Sequence, residues 1–219
     1  MNTKVKEIHS VHWFRLVEVG AVIIAFPMNA FIFYLLLNHH SFEFSSLFIH
    51  LFLLAYLCAD IFAGIVHWAG DTIGDESTPF WGEHFVVPFR LHHVDQKLMT
   101  RISLWENLGT SCLLAISCQS ILLVLFNNIE ISALLNATFL FFNTLFFLTV
   151  LTNIFHRWAH METQQLHPII LILQKYHLIL NPKHHQIHHQ KPFNKYFCVT
   201  NGWANICLKQ IYSLLKRNR

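Results

Sequence analysis

The residues most able to do chemistry in this chain are His184, His185, His188 and His189, four imidazoles within the run His184-His185-Gln186-Ile187-His188-His189. Imidazole titrates near neutral pH and is the commonest metal ligand, so a run this dense either repels itself as cations or stays neutral around a metal. The run reads as part of a metal site whose other ligands come from elsewhere in the sequence. Three further groups offer them. His67 and Asp71 stand four apart, the spacing that puts two side chains on one helix face. His92 and His93 are adjacent, with Asp95 just beyond, in the stretch between two apolar runs. His156 and His160 are again four apart, with Asn153 one turn earlier on the same side. These imidazoles exceed the three or four ligands that a tetrahedral zinc needs, and no HExxH or CxxC occurs. Two metal ions fit the supply better. The Glu and Glu-x-x-His pattern of soluble di-iron bundles is absent, while imidazole suits iron, copper or zinc.

The elements that have to position these groups are strongly apolar. Of 219 residues, 54% are hydrophobic and only 12% charged, with a mean hydropathy of +0.41. That composition indicates an all-α integral membrane protein and one domain. A net charge of +3 gives no reason to expect nucleic acid as a partner. Five Cys, an odd count, argue against a disulfide framework. Four uncharged or nearly uncharged runs are long enough to cross a bilayer: Val19 to Leu37, Ser45 to about Trp68, about Leu108 to Phe126, and about Ser132 to Phe155. Pro27 should kink the first. No cleavable leader is expected, and the first run would serve as an anchor.

Residues 1–18 then form an N-terminal tail and residues 19–219 a single membrane domain. The short connectors Asn38 to Phe44 and Asn127 to Ile131 hold Glu43 and Glu130 but no Lys or Arg. All fifteen Lys and Arg lie in the N-terminal tail, between Ala69 and Asn107, or after His156. Four spans bring those three segments to one side, which the positive-inside rule makes cytoplasmic. Twelve of the seventeen His lie in or beside the second and third of these segments, so the expected architecture is about four transmembrane helices with a cytoplasmic histidine-rich cap, both termini facing the cytoplasm. Pro168 to Leu180 is too short to span and reads as an interfacial or half-buried helix, and Tyr196 to Leu215 as a stretch along the membrane surface.

Plainer roles are expected for several residues. His9, His12, His39, His40, His50, His84 and His167 read as structural or solvated. Asp60, inside the second run and two turns before His67, is costly in lipid unless paired, and is expected to support the ligands or the packing rather than to ligate. Asn153 could hydrogen-bond or touch metal. Arg90, Arg157, Lys183 and Lys191 are ordinary positive-inside residues or holders of a phospholipid headgroup.

Four ordered motifs carry a family resemblance. They are Asp60-Ile-Phe-Ala-Gly-Ile-Val-His-Trp-Ala-Gly-Asp-Thr, Pro88-Phe-Arg-Leu-His-His-Val-Asp, Thr152-Asn-Ile-Phe-His-Arg-Trp-Ala-His, and Tyr176-His with Pro182-Lys-His-His-Gln-Ile-His-His. Across about residues 45–212 the chain resembles the plasmanylethanolamine desaturase family, also called Kua or the lipid desaturase domain, which includes a plant plastid desaturase of phosphatidylglycerol palmitate. The resemblance implies a membrane desaturase with two iron ions (Fe2+/Fe3+), using O2 and an electron donor of cytochrome b5 or ferredoxin type. Its substrate would be a membrane phospholipid, in the bacterial inner membrane or the endoplasmic reticulum. The family's histidine motifs fall on His67, His92, His93, His156, His160, His184, His185, His188 and His189. His177 and Asp71 also match, as ligands or as their supports. After Asp71 the chain departs from the pattern, with Ile73 where an aromatic is usual, which bears on the loop and the substrate. Plasmanyl lipid desaturation to a vinyl ether is the leading implication. Acyl-lipid desaturation of the phosphatidylglycerol trans-3 type and lipid hydroxylation are enzyme alternatives. A metal or haem transporter is the non-enzyme alternative, opposed by the gathering of ionisable residues on one face.

Overall fold

In lipid a chain has to satisfy its backbone internally, so uncharged runs of this length form helices. The computed structural model describes residues 12–42, 46–79 and 81–208. Helix α1 runs His12–Leu37 and α2 Ser46–Thr72. A π-helical turn, Gly82–Val86, leads into α3, Val87–Val94, and then α4, Leu98–Arg101. The long helices α5, Leu104–Asn128, and α6, Ala133–His160, follow. Short α7, Pro168–Lys175, and α8, Pro182–His185, precede an extended segment. No strand occurs among the described residues. The N-terminal expectations for residues 1–11, together with Glu43 and residues 209–219, lie outside the described residues.

Four helices are long and apolar enough to cross a membrane: Phe14–Leu37, Leu47–Thr72, Leu104–Asn128 and Ala133–His160. At 1.5 Å per residue they reach about 36 to 42 Å, longer than the roughly 30 Å hydrocarbon layer. Their last turns can therefore stand clear of lipid, and those of α2 and α6 carry His67, Asp71, His156 and His160. The four spans are those expected, each extended by some residues. The first helix begins at His12 rather than Val19 because its polar residues find partners. Arg15 donates to Glu106 at 2.6 Å and to Ser103 at 3.1 Å, and Glu18 is buried against α5. Pro27 lies inside α1 without ending it.

Helix α1 packs on α5, α2 on α6, and α5 and α1 on α6. Apolar clusters fill both ends of the α1, α5, α6 contact. Between them sits a polar lock. Asn143 Oδ1 accepts from Asn29 at 3.2 Å and from Gln119 at 2.9 Å, and Asn136 donates to the Leu36 carbonyl at 3.1 Å. Interhelical amide bonds of this kind hold register where hydrophobic burial gives no preference between helix and lipid.

Local signals fix the short elements. Ser103 and Ser132 cap α5 and α6 through their hydroxyls. Asn181, followed by Pro182, accepts from the Lys183 and His184 amides and starts α8. His167 Nδ1 accepts from the Ile169 amide, so this histidine is the cap of α7. Arg157 is held by the main chain of the neighbouring segment. Its guanidinium donates to the carbonyls of Met99, Ile102 and Thr100 at 2.7, 2.8 and 2.9 Å and ties α4 to α6.

The stretch expected along the membrane surface is partly interior. Phe197, Cys198, Val199, Thr200, Asn201 and Asn205 are buried, and Val199 packs with Ala63, Ala159 and Leu180 between α2 and α6. Gly64 permits this approach. A Cβ there would stand 2.5 Å from Cys198 Sγ and 3.2 Å from its backbone nitrogen.

Candidate metal centre

The ends of α2, α3, α6 and α8 converge on a buried set of imidazoles. Helix α2 runs on to Thr72, so His67 and Asp71 share its last turns and its inner face. His92 and His93 stand at the end of helix α3 rather than in an open loop. That helix approaches α2 at Gly70, where a Cβ would meet Phe89 Cγ at 2.4 Å. Helix α6 presents His156 and His160 one turn apart, and α8 with the turn after it supplies His185, His188 and His189.

These side chains sort into two groups. His92, His156, His160, His185 and His189 form one, and His67, Asp71, His93 and His188 the other. Within each group the ligand atoms lie within 4.8 Å of one another. The groups adjoin, because sequence neighbours diverge: His92 enters one and His93 the other, as do His189 and His188. Across the boundary the His67 and His156 ring centres are 5.4 Å apart, and those of His93 and His189 5.2 Å.

Two observations test whether cations fit. In the first group His185 Nε2 lies 2.9 Å from both His156 Nε2 and His189 Nε2. Ligands at about 2.1 Å from one ion and at right angles stand about 3 Å apart, so this spacing matches a shared metal. In the second group Asp71 Oδ1 is 2.9 Å from His93 Nε2, while Oδ2 is 3.4 Å from His188 Nε2 and 3.7 Å from His67 Nε2. The Nε2 atoms of His67, His92, His160 and His188, and Asp71 Oδ2, are buried with no hydrogen-bond partner. Buried polar atoms left unpaired are costly, and a cation would use their lone pairs. The residues present fit two ions.

The electrostatics agree. Burial, then the neighbouring imidazoles, holds His92 and His185 well below the ordinary histidine range and pushes His189 down to about 2. Such groups are neutral at physiological pH and keep a lone pair available. Tautomers are set on one side of the site. His67 Nδ1 donates to the Phe197 carbonyl at 3.2 Å and His188 Nδ1 to the Lys195 carbonyl at 2.9 Å, turning each Nε2 inward. The Nδ1 atoms of His93, His185 and His189 have no such brace.

A family model described as the lipid desaturase domain matches residues 56–217, most of the chain. The chain belongs to the lipid desaturase domain family. It is 42% identical over 163 residues to plasmanylethanolamine desaturase of Myxococcus xanthus, covering 73% of this chain and 55% of that protein. Identity is 36% over 159 residues to plasmanylethanolamine desaturase 1 of Mus musculus, covering 71% and 58%. It is 31% over 152 residues to the chloroplastic fatty acid desaturase 4 of Arabidopsis thaliana, covering 69% and 45%. The chain thus spans about half the length of these curated relatives. No solved structure matches it. The lipid desaturase match begins at Tyr56, takes in every member of both histidine groups and Asp60, and leaves α1 outside.

Four expected site residues stand apart from both groups. His184 accepts from Asn205 Nδ2 at 3.2 Å and lies against Tyr196, with ring centres 4.8 Å apart. It points away because successive residues on α8 diverge by about 100° around the helix axis. His177 is exposed, with a left-handed backbone (φ 55°), and its ring centre is 6.0 Å from that of His184. Asn153 donates to Ser111 at 2.8 Å, a contact between α6 and α5. Asp60, wholly buried, accepts from main-chain amides instead of lining the site. Sequence reading missed the Lys195 and Phe197 carbonyls, since a main-chain acceptor leaves no mark in residue type.

Proposed function

We propose that this chain is an O2-dependent lipid desaturase of the membrane, with two iron ions held by His92, His156, His160, His185 and His189 on one side and by His67, Asp71, His93 and His188 on the other. The observation that carries the reading is the pair of adjoining, largely buried histidine groups at one end of four membrane-length helices, in a chain of the lipid desaturase family. When bound, the iron pair supplies the redox chemistry that reduces O2 to water with two external electrons while two hydrogens leave adjacent carbons of a lipid chain. The protein's own part is to hold the ligand atoms convergent, keep water from the buried site and present an alkyl chain at its membrane-facing end.

Plasmanylethanolamine is the proposed substrate, with the double bond placed beside the ether oxygen to give a vinyl ether. The two relatives of highest identity named above, both called plasmanylethanolamine desaturase, support it. The fatty acid desaturase 4 relative supports an acyl-lipid substrate as the second reading. Electrons would come from a carrier of cytochrome b5 or ferredoxin type, and the positive-inside distribution of Lys and Arg supports a cytoplasmic metal centre. Transport is the weaker reading, because Asp60 within α2 has its carboxylate filled by main-chain N–H bonds.

Expression in cells lacking plasmalogens, followed by assay of acid-labile vinyl ethers and a fatty-acid profile, tests the reading. Vinyl ethers are expected. A new acyl double bond without them moves the substrate to the acyl-lipid class, and the appearance of neither product would refute desaturation.

A further inference from the structure

Along α2 the residues Asp60, Gly64, His67 and Asp71 follow one another at intervals of four, three and four, which keeps them on a single stripe of the helix. The segment 195–204 runs along that stripe in the opposite direction. Its Thr200, Asn201 and Gly202 amides donate to Asp60 Oδ1 at 2.9, 3.1 and 3.0 Å, and the Ala204 amide to Oδ2 at 3.0 Å. Cys198 lies over Gly64. The Phe197 carbonyl meets His67 Nδ1, and the Lys195 carbonyl meets His188 Nδ1. The two registers match in length. Seven residues of helix between Asp60 and His67 rise about 10 Å, and three extended residues from Phe197 to Thr200 cover about 10 Å.

We infer that Asp60 is a positioning residue for the metal centre: by gripping the 200–204 turn on α2, it sets the Phe197 and Lys195 carbonyls that orient His67 and His188. The inference rests on the proposed ligand role of those two histidines. A carboxylate is suited to the grip because it is acceptor-only, with lone pairs enough for the four N–H groups. An Asn at this place has one oxygen, and its NH2 would face an amide donor. With the grip lost, the carbonyls shift along the stripe, and His67 and His188 are free to rotate or to move the proton from Nδ1 to Nε2, which removes the inward lone pair. The five-histidine group has no contact with this segment through such a brace, so the effect falls on one metal position.

The test compares the full wild-type chain with Asp60→Asn and Asp60→Ala, purified in detergent and loaded with 57Fe. Three quantities are read: hydrogen exchange of residues 195–205, iron kept against a chelator, and the Mössbauer spectrum. Asp60→Asn should expose the 200–204 amides to exchange and weaken iron retention by about 10- to 100-fold, the range for losing an outer support of a metal ligand. One quadrupole doublet should change while the other stays, and Asp60→Ala should go further. Gly64→Ala, which pushes Cys198 off the same stripe without touching the carboxylate, should alter the same doublet if the Asp60 variants do not fold. Exposed amides with unchanged iron retention and an unchanged spectrum overturn the inference, as do unchanged amides. A wild-type chain that binds no iron refutes instead the proposed function.

Discussion

Acidifying the metal-stripped protein should destabilise it well before any carboxylate is neutralised. The perturbation acts on His92, His185 and His189, which burial and neighbouring imidazoles keep below the ordinary histidine range. In the unfolded chain each returns to about 6.5. The sign follows from proton counting. Below pH 6.5 the unfolded state binds protons that the folded state refuses, so stability falls as pH falls and continues to fall until the folded pKa is reached. For His189, at about 2 in the folded state, pH 5 lies inside that window, and a gap of about 1.5 units below 6.5 is worth about 1 to 2 kcal/mol. His92 and His185 act in the same direction. Each kcal/mol moves the melting temperature of a protein this size by about 2 to 4 °C, so the stripped chain should lose at least several degrees between pH 7.5 and pH 5. Thermal unfolding in detergent, followed by intrinsic tryptophan fluorescence on stripped and iron-loaded samples, measures it. The loaded protein should hold its midpoint further into acid, because metal occupies the same lone pairs. A midpoint in the stripped protein that is flat or rises on acidification would refute the claim that these imidazoles are buried and neutral.

Other expected outcomes concern single residues. His188→Ala should lower the iron held per chain toward one ion and abolish desaturation, read as iron per chain and lipid product; retention of both would remove His188 from the site. Replacing Arg157 by Ala deletes three bonds to the carbonyls of residues 99–102 and should cost about 1 to 3 kcal/mol. Faster proteolysis between α3 and α5 would report that loss, whereas a changed lipid affinity with an unchanged cleavage rate would return Arg157 to a headgroup role. Asn143→Leu removes the acceptor shared by Asn29 and Gln119 and should lower membrane-domain stability by about 0.6 to 2 kcal/mol, with iron stoichiometry unaltered; lost iron would tie the polar lock to the metal centre.

Much of this protein is legible in its residues because the relevant physics is local. An uncharged run of about twenty residues has one satisfactory backbone in lipid, so the four long helices follow from composition and length. His67 with Asp71 and His156 with His160 announce shared faces by helical spacing, and Asn181-Pro182 announces the start of α8. Tertiary structure decided the rest. His184 and His185 are adjacent and chemically identical, yet His185 is buried in the five-histidine group while His184 is braced by Asn205. His92 and His93 likewise part to different groups. No sequence pattern separates such neighbours, because the choice depends on which side of a short helix meets another segment. Asp60 was expected to need a partner, but that partner is a row of main-chain amides about 140 positions away. The carbonyls bracing His67 and His188 are invisible for the same reason: every residue carries a carbonyl, and only the path of the chain determines which one reaches an imidazole. The sequence by itself determined the membrane helices and the stock of imidazoles, and the folded path of residues 195–205 decided how two of them, His67 and His188, are aimed.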